Sequence, residues 1–87
     1  MKIFFAKKFR KTYDRMDKRI RLQCSERLRI FEKEPSHVLL DNHELHGEYA
    51  GCRSINITGD YRAIFYHEGP GAVHFIAIGT HHELFGS

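Results

Sequence analysis

The sequence contains no tryptophan, two prolines and two cysteines among its 87 residues. Cys24 and Cys52 are too few and too unpatterned for a disulfide framework or a Cys-rich zinc site, so reduced thiols in a cytoplasmic compartment are expected. No apolar run approaches the roughly 18 residues needed to cross a bilayer. The opening MKIFFAKKFRK also lacks the apolar core and cleavage site of a secretory signal, so no membrane partner is expected. Neither GxGxxG nor GxxxxGK[ST] occurs, which leaves the seven glycines without a phosphate-loop pattern. HExxH and CxxC are missing as well, and His43-x-x-His46 falls one residue short of the metalloprotease helix motif. The expectation is therefore no metal and no small-molecule cofactor. What remains is 41% apolar and 29% charged, too hydrophobic for disorder and of a length for one domain over residues 1–87.

Acidic residues are scarce in the first third. Residues 1–33 carry twelve lysines and arginines against Asp14, Asp17, Glu26 and Glu32, a net charge of +8. Residues 34–87 carry only Arg53 and Arg62 against seven acids, a net charge of −5, together with all seven histidines. The modest overall +3 thus hides a strong dipole. One reading is a basic part that holds a polyanion and a histidine-bearing part that acts on it. The other is a solvated helix face, because lysine and arginine suit any exposed helix.

Hydrophobic spacing orders the elements. Ile3 to Phe5 reads as a short strand. Phe9, Tyr13 and Met16 form a helical stripe within residues 6–16. Asp17 is a suitable N-cap for a second helix to about Lys33, with Ile20, Cys24, Leu28 and Phe31 on one face. Pro35 stops it by Glu34. Residues 36–49 read as a loop. Strands are expected over residues 52–57, 61–66 and 72–78, separated by Thr58-Gly59-Asp60 and Gly69-Pro70-Gly71. The tail from His81 to Phe85 is a short helix or an extended cap. The class is α+β in the order β-α-α-β-β-β, a helical hairpin on one face of a small antiparallel sheet, its other face free to bind.

Asp60 and Arg62 stand two apart, which on a strand directs both to one face. A carboxylate, a guanidinium and an imidazole on an exposed face suffice to cleave RNA without a metal. A base takes the 2′-hydroxyl proton, an acid protonates the leaving 5′-oxygen, and a fixed cation holds the charge on phosphorus. Histidine suits both proton transfers near neutral pH, and arginine stays charged throughout. His37, His67 and His74 flank turns or sit within an apolar strand, and read as structural.

Three segments carry a resemblance. His43-Glu44-Leu45-His46-Gly47-Glu48-Tyr49-Ala50-Gly51-Cys52-Arg53 resembles the H-x-L-x-G-x-[YW]-x-G-x-R segment of the RelE/ParE toxin superfamily. Asp60-Tyr61-Arg62-Ala63-Ile64-Phe65-Tyr66 resembles its central strand, and Gly79-Thr80-His81-His82-Glu83-Leu84-Phe85-Gly86 its C-terminal signature. The order matches across the whole chain, and the most similar branch is the YafQ-like mRNA interferases. The resemblance implies the toxin of a bacterial type II toxin–antitoxin pair. Such a toxin cuts mRNA in the ribosomal A site without metal, leaving a 2′,3′-cyclic phosphate and a 5′-hydroxyl. It also implies a cognate antitoxin and the ribosome as partners.

Residue by residue, His43, Asp60 and His81 match functional positions of that pattern, and Arg62 matches the arginine that stabilises the transition state in RelE-type members. Phe85 stands where relatives carry an active terminal aromatic. Tyr61 stands where YafQ-like chains have tryptophan, as a base-stacking or a core ring. His46 and Arg53 are secondary RNA-binding candidates, Arg53 equally a structural donor. Lys7, Lys8, Arg10, Lys11, Arg15, Lys18, Arg19 and Arg21 are expected to grip ribosomal RNA. Two positions depart from the pattern: Asn56 replaces a histidine and Ala77 an arginine. Asn56 can still hydrogen-bond RNA but transfers no proton. The competing readings are a ParE-type inhibitor of DNA gyrase, whose relatives lack the histidine and aspartate set, and an RNA-binding toxin-like domain without catalysis.

Overall fold

The computed structural model describes residues 1–86. Strand β1 (Lys2–Phe5) turns Ile3 and Phe5 toward the core. Helix α1 (Lys7–Asp14) ends two residues before the predicted Met16, which still packs against the core just beyond it. Helix α2 (Lys18–Lys33) begins at the expected cap, where Asp17 Oδ1 accepts from Arg19 N–H at 2.7 Å. It stops ahead of Pro35, as the clash of a proline ring with the preceding residue requires. The Tyr13 hydroxyl lies 3.0 Å from Ser25 Oγ and donates to the Arg21 carbonyl at 3.3 Å, locking the two helices as a hairpin.

The sheet has five strands in the order β1-β5-β4-β3-β2. These are β2 (His43–Glu44), β3 (Arg53–Asn56), β4 (Tyr61–His67) and β5 (Ala72–Thr80), followed directly by α3 (His81–Phe85). Two corrections apply to the sequence reading. Part of the expected loop over residues 36–49 is strand β2, whose two residues are too few to show a period. The sheet is also not wholly antiparallel, because β1 joins the edge of β5 in parallel, Ile3 opposite Val73 and Phe5 opposite Phe75. The intervening hairpin and strands supply the long connection that parallel pairing needs.

The two faces of the sheet differ. Ile55, Ala63, Phe65, Val73, Phe75 and Ile78 face the helices and form one core with Phe9, Cys24, Phe31 and Leu40. Phe31 is set edge-on to Phe65 and Phe75, with ring centroids 4.9 and 5.4 Å away. Burial there pushes the Cys24 thiol up to about 11, so it stays protonated and unreactive near neutral pH.

The opposite face is not simply open, which corrects the expectation of a wholly free surface. Loop residues Leu45, Tyr49 and Cys52, with Leu84 and Phe85 of α3, cover its middle over Ile64 and Ala77. Gly79 lets α3 lie close, since a Cβ there would meet Glu83 Oε1 at 3.1 Å. Among the described residues no helix is long and apolar enough to cross a membrane.

Candidate active site

Pairing across the sheet sets the site's first row. Asn56, Arg62 and Gly79 are directly opposite one another on β3, β4 and β5. They share the face turned away from the helices, because their neighbours Ile55, Ala63 and Ile78 are buried beneath α1 and α2. Directly opposed side chains on one face have Cβ atoms roughly 5 Å apart, so Asn56 and Arg62 are immediate neighbours. Arg62 Nη1 donates to the carbonyls of Thr58, Gly59 and Tyr61 at 3.1–3.2 Å. One nitrogen thus anchors the guanidinium to the β3–β4 turn. Its other nitrogens make no hydrogen bond to the described residues. Asn56 Oδ1 is buried without a partner, and so is Ser54 Oγ on the same face of β3. Orphaned acceptors of this kind cost about 1–3 kcal/mol each unless a water or ligand satisfies them.

His43 stands opposite Ser54 in the next row, diagonal to Asn56. Its Nδ1 is 2.7 Å from the Asp41 carbonyl oxygen. A carbonyl can only accept, so Nδ1 carries the proton and Nε2 keeps the lone pair that a general base needs. Asp41 holds this carbonyl in place from a left-handed backbone, φ 45°, which aspartate tolerates better than most residues. Its carboxylate also lies 3.8 Å from Nδ1, on the same side of the ring as the carbonyl. Asp41 was not among the sequence candidates. No spacing rule shows that a carbonyl two residues upstream will orient a ring.

His81 opens α3 and is tied to the β3–β4 turn, where its N–H donates to the Asp60 carbonyl at 3.0 Å. Asp60 lies in that turn, one residue before β4, so its backbone positions His81 directly. Thr80 and Glu83 close a capping box around the helix start: Thr80 Oγ1 accepts from Glu83 N–H at 3.1 Å, and Glu83 Oε1 from Thr80 N–H at 2.8 Å. Those Thr80 hydrogen bonds, from backbone first and hydroxyl second, hold the Glu83 carboxyl below its usual range. The His81 ring lies against Phe85, centroids 4.8 Å apart, and Phe85 is edge-on to Tyr49 at 5.7 Å. Three rings from two distant segments therefore form one chain. Tyr49 was missed as a site residue. Its signal was present as the aromatic position within the His43–Arg53 segment.

The other candidates are placed as follows. Tyr61 packs against the helix-side core, on the face opposite Arg62, and is a core ring. Arg53 Nε donates to Asn42 Oδ1 at 2.8 Å, and Asn42 Nδ2 to the Pro35 carbonyl at 3.0 Å. Arg53 thus clamps the loop that leads from α2 into β2. His46 is exposed on the covering loop. Lys7, Lys8, Lys11 and Arg15 line one side of α1 with Thr12, whereas Arg10 faces a cavity of about 340 Å³ between the helices. Lys18, Arg19 and Arg21 lie at the start of α2, with Arg19 Nε 4.0 Å from Asp17. Ala77 is buried beside the covering loop and α3, and its methyl group supplies none of the charge an arginine would bring there. Among the remaining histidines, His74 stacks between Phe4 and Tyr66 and meets Glu68 at 2.7 Å.

A five-stranded sheet with a helical hairpin on one face and a short terminal helix on the other is the fold of RelE/YoeB-type toxins. It is similar to a YoeB/ParE toxin from Agrobacterium tumefaciens, with 25% identity, coverage of 93% of this chain and 99% of that one, and TM-score 0.78. It is also similar to a chain of the RelBE2 toxin–antitoxin complex from Mycobacterium tuberculosis (21%, 91% and 95%, 0.74). A chain of the DinJ–YafQ complex from E. coli matches with 24% identity, 97% coverage of both chains and TM-score 0.69. No curated protein sequence matches significantly. The family model for YafQ, bacterial toxin of a type II toxin–antitoxin system, matches residues 1–86. The chain belongs to the YafQ family of toxins.

Proposed function

We propose that this toxin is a metal-independent endoribonuclease that cuts mRNA on the ribosome and so blocks translation in the cytoplasm. The observation that carries the reading is the Asn56–Arg62 pair, a guanidinium anchored by one nitrogen beside a buried, unpartnered acceptor. An arginine already fixed by the turn needs little reorganisation when charge develops on a phosphate. Family membership and the resemblance of the three motif segments support the same conclusion.

In this mechanism His43 Nε2 takes the proton from the ribose 2′-hydroxyl. The 2′-oxygen attacks phosphorus while Arg62 holds the non-bridging oxygens. The bond from phosphorus to the 5′-oxygen breaks, and the His81 imidazolium supplies the proton to that oxygen. The products are a 2′,3′-cyclic phosphate and a 5′-hydroxyl, so atoms and protons balance. Asp60 acts through its backbone, keeping His81 at the sheet's end. Three strand spacings, roughly 14 Å, separate β2 from β5, a width that side chains reaching from both edges and from Arg62 between them can close around one phosphate. The basic residues of the hairpin hold ribosomal RNA. Similar folds occur in the DinJ–YafQ and RelBE2 complexes, and on that ground a cognate antitoxin is the expected protein partner.

The test is cell-free translation of a reporter mRNA with purified toxin, its 5′ ends mapped by primer extension. In-frame cuts that vanish with His81→Ala and in a translation-blocked reaction are expected. Intact mRNA with folded wild-type protein would overturn the reading and direct attention to gyrase inhibition or to RNA binding without cleavage.

A further inference from the structure

A second feature lies beside the three-ring chain. Lys8, Thr12, Tyr49, Ala77, Glu83 and Leu84 surround a notch of about 220 Å³ between α1 and α3. It is smaller than the roughly 300–1,000 Å³ of small-molecule sites, a size for one planar group. Its Lys8 and Thr12 also belong to the broad depression along α1, where Lys7, Lys11 and Arg15 complete a basic row. A positively charged track therefore runs into the notch. On the far side, the Tyr49 wall touches Phe85, and Phe85 touches His81. Single-stranded nucleic acid is bound by this combination of a cationic groove and aromatic rings.

We infer that the notch is a nucleobase subsite of the RNA strand, flanking the cleaved phosphate and taking a base that bears an exocyclic amine. This rests on the reading of the chain as an RNA-cutting toxin, and it makes α1 a track for the substrate strand as well as a surface for ribosomal RNA. Charge sets the orientation. Lys8 takes the phosphate, while Glu83 repels phosphate and accepts from a base N–H₂, as carboxylates do from cytosine N4. Glu83 Oε1 accepts from Thr80 N–H, and the carboxylate has further lone pairs with which to accept from a base. Thr12 Oγ1 donates to the Lys8 carbonyl at 3.0 Å, so toward a base the hydroxyl can act only as an acceptor. The antitoxin is the rival occupant, through an acidic segment on the same basic row. The notch's own carboxylate and ring wall favour a base over an acidic peptide.

The experiment is an NMR titration of the full chain with uncleavable 2′-O-methyl tetranucleotides, following the Thr12 methyl and Tyr49 ring signals. Oligo-C and oligo-A are expected to shift both signals and to bind about 5- to 10-fold more tightly than oligo-U. Glu83→Gln with Thr12→Val keeps the shape of the notch and the capping acceptor for Thr80 N–H but replaces a carboxylate oxygen by an N–H₂ donor. It is expected to erase most of that preference, with core Phe65 signals reporting intact folding. Shifts confined to other residues, equal affinity for all bases, or displacement of these signals by a polyglutamate peptide but by no oligonucleotide would overturn the inference. Its outcome is separable from that of the translation assay. Wild type that leaves mRNA intact yet shows the base-dependent shifts would lose the enzyme reading and keep the subsite.

Discussion

The two faces of the sheet obey opposite rules. Toward the helices, Phe31, Phe65 and Phe75 interlock with fully buried Ile55 and Ile57, and Ser54 is the one buried polar residue among those described, lying on the other side. Away from the helices, Ser54 Oγ and Asn56 Oδ1 are the sheet's buried unpartnered atoms among the described residues, with an arginine beside them. Arg27 Nε and Nη1, also buried without partners, belong to α2 and not to the sheet. A face selected for folding alone would fill such positions with apolar groups, because unsatisfied polar atoms destabilise. The contrast locates stability on one side of a sheet only one residue thick, and chemistry on the other.

That separation is open to attack by substitution. The largest effect is expected from Phe31→Ala on the helix side, about 3–5 kcal/mol as for other buried phenylalanines, read from urea unfolding. A chain of this size has a total stability of roughly 4–13 kcal/mol, so the variant loses much of it. Next in size, Arg62→Ala is expected to slow cleavage about 10²–10³-fold, the range for losing one fixed donor to a developing oxyanion. Its unfolding free energy should fall by only about 1 kcal/mol, the net worth of its hydrogen bonds to the turn. Loss of folding comparable to that of Phe31→Ala would erase the distinction between the faces.

Ser54→Ala sharpens the comparison, since removing an orphaned hydroxyl is expected to leave stability unchanged or raise it by up to about 1 kcal/mol. A fall of similar size would mean that a bound water satisfies the hydroxyl. The smallest effect belongs to Glu83, which is exposed. Its folded-state pKa is lowered from 4.5 by the Thr80 hydrogen bonds, so the stability it adds is present above 4.5 and fades as pH falls through the lower folded value. The His81 and Phe85 ring signals should therefore report α3 loosening on the acid side. In Glu83→Gln that acid-dependent step should disappear, and a pH profile identical to wild type would assign the loosening to another group.

Local rules made much of this legible. The α2 stripe of Cys24, Leu28 and Phe31, its Asp17 cap, the turn through Thr58-Gly59-Asp60 and the two long strands all follow from periods and caps set by neighbouring residues. Motif resemblance singled out His43, Asn56, Asp60, Arg62, His81 and Phe85 for attention. It could not separate Tyr61, a core ring, from Arg62 beside it, although alternation puts the two on opposite faces. Strand β2 was invisible because two residues show no period.

The amino-acid sequence by itself determined the α+β class, the helical hairpin with its charge and the residues available for acid–base chemistry. Periodicity, capping and composition are local, and they need no knowledge of what lies across the sheet. Only the tertiary structure decided that β1 runs parallel to β5, that residues 45–52 fold over the second face, and that Tyr49 meets Phe85. It also decided the donor nitrogen of His43 and the anchored nitrogen of Arg62. Each of these depends on a contact whose partner is supplied by the path of the backbone, and no spacing along the chain encodes that path.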